Sequence, residues 1–374
     1  MTEDALQQIT TLTRSLIRFP SVHGNPHEIG RCAEFVEDHL KGSGADIHRI
    51  EHENTPSLLA LPRAGRASVL LMSHIDVVSA EPEQFEPFER DGKLYGRGSL
   101  DDKYAVALSL VLFRNHLKEL YRQGIGQKDL PFGLLITSDE EMGGFHGAGR
   151  LLKTLDTDFV IVLDGGSPNE IIVRQKGFVK LRLRSQGRTA HGSQPWRGEN
   201  AIDQLIDDLV KVRRMFDGSG PDHWHRTANL SILHSGRPGA AESFNQVPDH
   251  AEATLDIRYT EDDDIDALIE RLDQELLSDI RVEASGPVFQ GGDSPYLDRL
   301  LEIAPDARIG FTHSASDARF LTEYDIPGIV WGADGDDSAH SGHEHVNLQS
   351  VQRLYGRLDE FLRIIQVYPL IVQQ

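Results

Sequence analysis

Apolar residues along the chain fall into two rhythms. Short unbroken runs at 69–72, 132–136, 159–163 and 329–331 have the look of strands buried on both faces. Between them, stretches 4–19, 27–40, 104–121 and 351–365 repeat their apolar positions with helical period, the second ending at Gly42. Strands covered on both sides and alternating with helices predict an α/β fold, a mixed, largely parallel sheet flanked by helices.

The middle of the chain has another period. Ala251, Ala253, Leu255 and Ile257 alternate with Glu252, Thr254 and Asp256, the pattern of a sheet with one wet face. Ala228, Leu230 and Ile232 read the same way, as do Ile280, Val282 and Ala284. With helical stretches at 200–216 and 265–276, the order from 178 to 285 is strand, helix, strand, strand, helix, strand, that of a ferredoxin-like α+β unit. Because the first rhythm resumes afterwards, an insertion is expected: 1–177 and 291–374 form one domain and 178–290 the other. The acidic run 261–264 opens the second helix of the insert and reads as charge at a helix start.

Composition narrows the function. Of 374 residues, 59 are acidic and 38 basic, a formal charge of −21. A field of that sign repels phosphate backbones and anionic lipid surfaces, which argues against nucleic-acid and membrane partners. Cys32 is the only cysteine, so an intrachain disulfide and a CxxC site are excluded. The acidic start, Met1-Thr2-Glu3-Asp4, lacks the basic and apolar regions of a secretory signal, and a cytoplasmic location is expected.

In an open α/β sheet, ligands bind beyond the carboxyl ends of the strands. There the sequence places His74 and Asp76, then Ser138-Asp139-Glu140-Glu141, then Asp164, and finally Ala339-His340. A further cluster, Gly96-Arg97-Gly98-Ser99-Leu100-Asp101-Asp102-Lys103, precedes a helix. Singly, each has a plain structural reading: a Glu-Glu pair is a solvated face, and Asp101-Asp102 suits a helix start. Together, carboxylates and imidazoles gathered at one rim repel one another unless a cation joins them. A divalent metal resolves the conflict, and histidine with carboxylate but no cysteine favours zinc, with manganese or cobalt as alternatives. The spacing of His74 and Asp76 puts both on the same side of an extended segment, as a ligand and its orienting carboxylate require.

In order and spacing, Ser73-His74-Ile75-Asp76, Gly96 to Lys103, Ser138 to Glu141, Asp164, and Ala339-His340 through Glu344 resemble one family. It comprises the dizinc metallohydrolases that include carboxypeptidase G, aminoacylase, acetylornithine deacetylase, succinyl-diaminopimelate desuccinylase and carnosinase-type dipeptidases. The resemblance covers nearly the whole chain. It implies a zinc-peptidase-like domain with an inserted lid and dimerisation domain, hence a homodimer, and two divalent ions per chain. It makes His74 and Asp164 terminal ligands of one zinc, Glu141 and His340 those of the other, and Asp101 the bridge, followed by a cis peptide bond to Asp102. Asp76 would accept a hydrogen bond from His74, and Glu140 would be the general base acting on a hydroxide shared by the metals.

In the insert, Thr189-Ala190-His191-Gly192-Ser193 matches the segment whose histidine stabilises the oxyanion, often in the partner's site. Asn245 and Arg258 match positions that contact substrate, although Arg258 reads equally as an edge-strand charge. Ser316, in Ser314-Ala315-Ser316-Asp317-Ala318-Arg319, matches a pocket-lining loop or a serine-rich turn before a helix. Two departures stand out: Tyr104 replaces the usual glycine after the lysine, and His343 replaces the Asn or Asp common before the glutamate. Aspartate at 164 inclines the reading toward a peptidase of small carboxylate-bearing substrates. An N-acyl amino acid deacylase is the alternative, and a non-catalytic metal-binding paralogue fits less well with an intact Glu140.

Overall fold

The computed structural model describes residues 3–216, 218, 220, 222–236, 243–292 and 294–370. The chain divides into two compact units: Met1–Arg174, Phe289–Thr312 and Ser316–Gln374 form unit 1, and Gln175–Val288 with His313–Ala315 form unit 2.

Unit 1 opens with α1 (Glu3–Ile17) and α2 (Pro26–Gly42); Asn25 caps α2 through the Glu28 amide, and Pro26 fits its first turn. Next come β1 (His48–His52), β2 (Thr55–Ala60), β3 (Arg66–His74), β4 (Phe88–Arg90) and β5 (Lys93–Tyr95). Helix α3 (Lys103–Arg122) is buried at every residue from 103 to 113, which explains its nearly unbroken apolar sequence. The segment closes with β6 (Phe132–Thr137), α4 (Ala148–Leu151), β7 (Asp156–Val162) and β8 (Glu170–Gln175).

Unit 2 contains β9 (Gly177–Gln186), α5 (Ala201–Met215), β10 (Thr227–Ser235), β11 (His250–Tyr259), α6 (Ile265–Glu275) and β12 (Asp279–Gly286). The chain then returns to unit 1 with β13 (Phe289–Gln290), α7 (Pro295–Ile303), β14 (Arg308–Thr312), α8 (Arg319–Glu323), β15 (Gly328–Val330), β16 (His345–Asn347) and α9 (Leu348–Val367). Among the described residues, no helix is long and apolar enough to cross a membrane.

The main sheet of unit 1 has the order β1-β2-β6-β3-β7-β15-β8-β13, with β14 on β8. Its centre, β6, β3, β7 and β15, is parallel, and β1, β2 and β8 join antiparallel, so the expected mixed, largely parallel sheet is what the chain builds. Successive residues of β3 enter opposite cores: Val69 and Leu71 pack with α1, α2, α3 and α9, whereas Leu70 and Met72 pack with Leu151, Leu152, Phe320 and Leu321. Burial on both faces is why this strand shows no alternation in sequence.

Unit 2 has an antiparallel sheet in the order β10-β11-β9-β12, the ferredoxin-like arrangement. Ala251, Ala253, Leu255 and Ile257 are buried with Leu205 and Leu272, as their alternation implies. Asn200 caps α5, and Asp264, the last of the acidic run expected at a helix start, accepts the Ala267 amide at the start of α6. Strand β10 departs from expectation. Its register shifts between Leu230 and Ile232, and Leu230, Ile232 and Leu233 are 36, 48 and 57% exposed.

Candidate metal centre

The parallel centre of unit 1 brings its strand ends to one rim. His74 is the last residue of β3 and pairs with Thr137 of β6, so the next turn carries Glu140 and Glu141. Met72 pairs with Val162 of β7, two residues before Asp164. Asp101 precedes α3, and His340 lies in the loop between β15 and β16.

Two groups of potential ligands meet at this rim. His74, Glu140 and Asp164 form one and Asp101, Glu141 and His340 the other, with ligand atoms within 4.8 Å of one another in each. Asp101 faces both: its Oδ1 is 3.0 Å from His74 Nε2, and its Oδ2 is 3.0 Å from His340 Nε2. Glu141 Oε1 lies 3.3 Å from that same nitrogen of His340. The peptide bond between Asp101 and Asp102 is cis. His74 Nε2 and Asp101 Oδ1 are buried without hydrogen-bond geometry to any partner, although they are adjacent. Lone pairs that converge without a shared proton are what a cation requires, and the imidazole and carboxylate donors suit zinc.

Titration behaviour carries the same message. Burial, with Asp101 next, pushes the Asp164 carboxyl up to about 7. Burial, with Asp164 next, raises Glu140 well above the usual carboxylate range. The neighbouring carboxylates, Asp101 first and Glu141 next, push His340 up to about 10. Burial opposes ionisation of Asp101, but the imidazoles of His340 and His74, each 3.0 Å away, outweigh it and hold its carboxyl low. Such a group settles its charge by holding protons or by holding cations.

The supporting bonds cross from loop to loop. His74 Nδ1 bonds the carbonyl oxygen of Asp76 at 3.0 Å, while the Asp76 carboxylate stands 3.4 Å from the ring. The carboxylate accepts instead from the amides of Glu140 and Glu141, at 3.3 and 3.0 Å. The expected orientation of His74 by Asp76 thus runs through the main chain, and the side chain holds the turn of the proposed base. Sequence reasoning gave no role to Arg97 and Glu344, both buried. Glu344 Oε1 accepts the amides of Gly98, Leu100 and Asp101 at 2.9, 3.1 and 3.2 Å. Arg97 pairs with Glu344 and donates to the carbonyls of His340 and Ser341. The pair joins the loops of two potential ligands and supports the left-handed backbone of His340, φ 61°. Their only local signal was opposite charge inside glycine- and histidine-rich motifs.

Ser316 is buried, and its hydroxyl accepts the Ala318 amide at 3.2 Å, the geometry of a turn before α8. Arg319 fastens this turn to the one that carries Glu140 and Glu141 by donating to the carbonyls of Ser316 and Gly143.

Unit 2 holds the remaining predicted residues. His191 is exposed, and its Nδ1 accepts the Ser193 amide at 3.2 Å and lies 2.8 Å from Ser193 Oγ. The neutral ring therefore carries its proton on Nε2. Asn245 is its neighbour: the Gly192 amide donates to the Asn245 carbonyl at 2.6 Å, and a Cβ on Gly192 would stand 2.9 Å from the Asn245 carbonyl carbon. Arg258 lies on interior strand β11, not an edge strand, paired with Asp256 at 2.9 Å and over the Phe178 ring.

Comparison with known proteins adds an independent line. A family model described as peptidase family M20/M25/M40 matches residues 70–364. A probable carboxypeptidase of Arthroderma gypseum is 25% identical over 323 residues, which is 78% of this chain and 67% of that protein. A succinyl-diaminopimelate desuccinylase of Rickettsia felis is 25% identical, with 93% and 97% covered. Among solved structures, a tripeptidase from Staphylococcus aureus shares the fold with a TM-score of 0.79 at 22% identity, over 97% of this chain and 99% of that one.

Proposed function

Because the chain belongs to peptidase family M20/M25/M40, and is therefore a hydrolase of peptide or amide bonds, we propose that it is a dizinc peptidase of small carboxylate-bearing substrates. The observation that carries this reading is Asp101, with one carboxylate oxygen 3.0 Å from the Nε2 of each of two imidazoles. His74, Asp101 and Asp164 would hold one ion, and Asp101, Glu141 and His340 the other. Bound there, the ions would supply Lewis-acid polarisation of the scissile carbonyl and acidify water.

The chain's own residues do the rest. Glu140 takes the proton of the attacking water and delivers it to the leaving amine nitrogen. Asp76 keeps Glu140 and Glu141 in register by accepting both amides. His191, with its proton on Nε2, offers the donor that a developing oxyanion needs. Asn245 and Arg258 bind substrate, the guanidinium taking a carboxylate through parallel hydrogen bonds in place of Asp256, and Ser316 shapes the pocket loop. Unit 2 pairs with a second copy: edge strand β10 bears exposed Leu230, Ile232 and Leu233, and α5 exposes Ile206 and Val210.

A second reading, an N-acyl amino acid deacylase, is favoured by the desuccinylase relative, which aligns over 93% of this chain. Turnover of dipeptides and N-acyl amino acids with zinc, cobalt or manganese separates the two. In either case Glu140→Ala should keep two equivalents of zinc and lose about 100-fold or more of kcat. Unchanged turnover would refute the assignment of the base.

A further inference from the structure

Tyr104 is 1% exposed and stands near the start of α3, three residues after Asp101. Its hydroxyl donates to the Leu163 carbonyl at 2.8 Å and accepts the Ala333 amide at 2.7 Å. These partners belong to neighbouring parallel strands just past their last ladder bond. Pairing of β7 with β15 ends at Val162 and Val330, and the Trp331 amide still reaches the Val162 carbonyl at 2.8 Å. One step further on, the phenol oxygen replaces the direct strand-to-strand bond. A Cβ on Gly332 would stand 2.7 Å from this oxygen, so glycine leaves the room it occupies. Leu163 immediately precedes Asp164, and Ala333 begins the loop that leads to His340.

We propose that Tyr104 is a positioning residue for metal binding: its hydroxyl fixes where the chain leaves β7 and thereby holds Asp164 at the correct distance from Asp101. The inference rests on the two-cation reading of the centre. Without the oxygen, a carbonyl and an amide lose this partner beneath the rim, and the strand ends close on each other or admit water. Either change displaces Asp164, whereas Glu141 and the amides bonded to Glu344 are held by other contacts.

The test is zinc titration of the full chain as wild type, Tyr104→Phe and Tyr296→Phe, the last removing another buried hydroxyl, bonded to Asp158 at 3.3 Å. Wild type and Tyr296→Phe should each bind two equivalents alike. Tyr104→Phe should bind one equivalent as wild type does and the other about 10- to 100-fold more weakly. Unchanged affinities in Tyr104→Phe, or equal weakening of both sites, overturn the proposal. A Tyr104→Phe chain that cannot be folded in excess zinc also overturns it, leaving the hydroxyl a structural role alone. A wild-type chain that takes up no zinc would instead remove the reading of the centre itself.

Discussion

The rim of unit 1 and the loops of unit 2 carry their chemistry in opposite ways. At the rim, His74, Asp76 and Glu344 are at most 2% exposed, and each is fixed by bonds that reach another segment or the next turn. In unit 2, His191 and Asn245 are exposed; their side chains bond Ser193 and Ser243 of their own short loops, and main-chain bonds join the two loops to each other. The first arrangement stores its precision in the folded chain, where carboxylates collect backbone amides before any substrate arrives. The second leaves hydrogen-bonding capacity on offer, as the proposed contact with substrate would require.

Substitutions should separate the two regions by what they damage. The largest effect is expected for His191→Ala: kcat about 100- to 1,000-fold lower, from loss of an oxyanion donor, with zinc content still two equivalents. Loss of zinc along with kcat, read by metal analysis, would place His191 with the rim residues instead. Glu344→Gln should give the reverse signature, zinc binding about 10- to 100-fold weaker in chelator competition, because the loops of Asp101 and His340 lose their common anchor. Wild-type affinity in that variant would mean that the loop-to-loop bonds do not set the ligands.

The smallest effect concerns the frame of unit 2. Asp208 is buried and accepts the amides of Leu277 and Ser278 at 3.0 and 2.8 Å, together with Lys211 Nζ at 3.1 Å. Asp208→Asn should cost about 1.5–3 kcal/mol in denaturant unfolding and leave zinc binding unchanged. Burial works to raise this carboxyl, but the bonds from Ser278, Leu277 and Lys211 outweigh it and hold it below the usual range. A depressed carboxyl contributes stability above its unfolded pKa and loses it as pH falls, so the gap between wild type and variant should narrow in acid. A gap that stays constant with pH would contradict the ionised role.

Much of this was legible before any coordinates. Runs such as 159–163 announced strands buried on both faces, and the alternation from Ala251 to Ile257 announced a sheet with one wet face. The cluster at the rim could be read because its members are chemically conspicuous and sit just past strand ends. Strand β10 shows the limit: alternation puts Leu230 and Ile232 on one face, but the register shift between them sets Leu230 opposite Leu255 and Ile232 opposite Thr254, on different faces of the sheet. Asp76 shows another, since one residue offers both a carbonyl and a carboxylate and only the fold decides which meets His74. Arg97 and Glu344 are 247 residues apart, and a bond from side chain to distant backbone leaves no periodic trace. Tyr104 stood out only as an unusual residue in its motif, because what its hydroxyl does depends on two strands far along the chain.

The most direct examination of the account is a crystal of the full chain grown with zinc and measured at the zinc absorption edge. The account predicts two anomalous peaks about 3.5–4 Å apart, one among His74, Asp101 and Asp164 and the other among Asp101, Glu141 and His340. A single peak, no peak, or imidazoles of His74 and His340 turned into separate surroundings would contradict it.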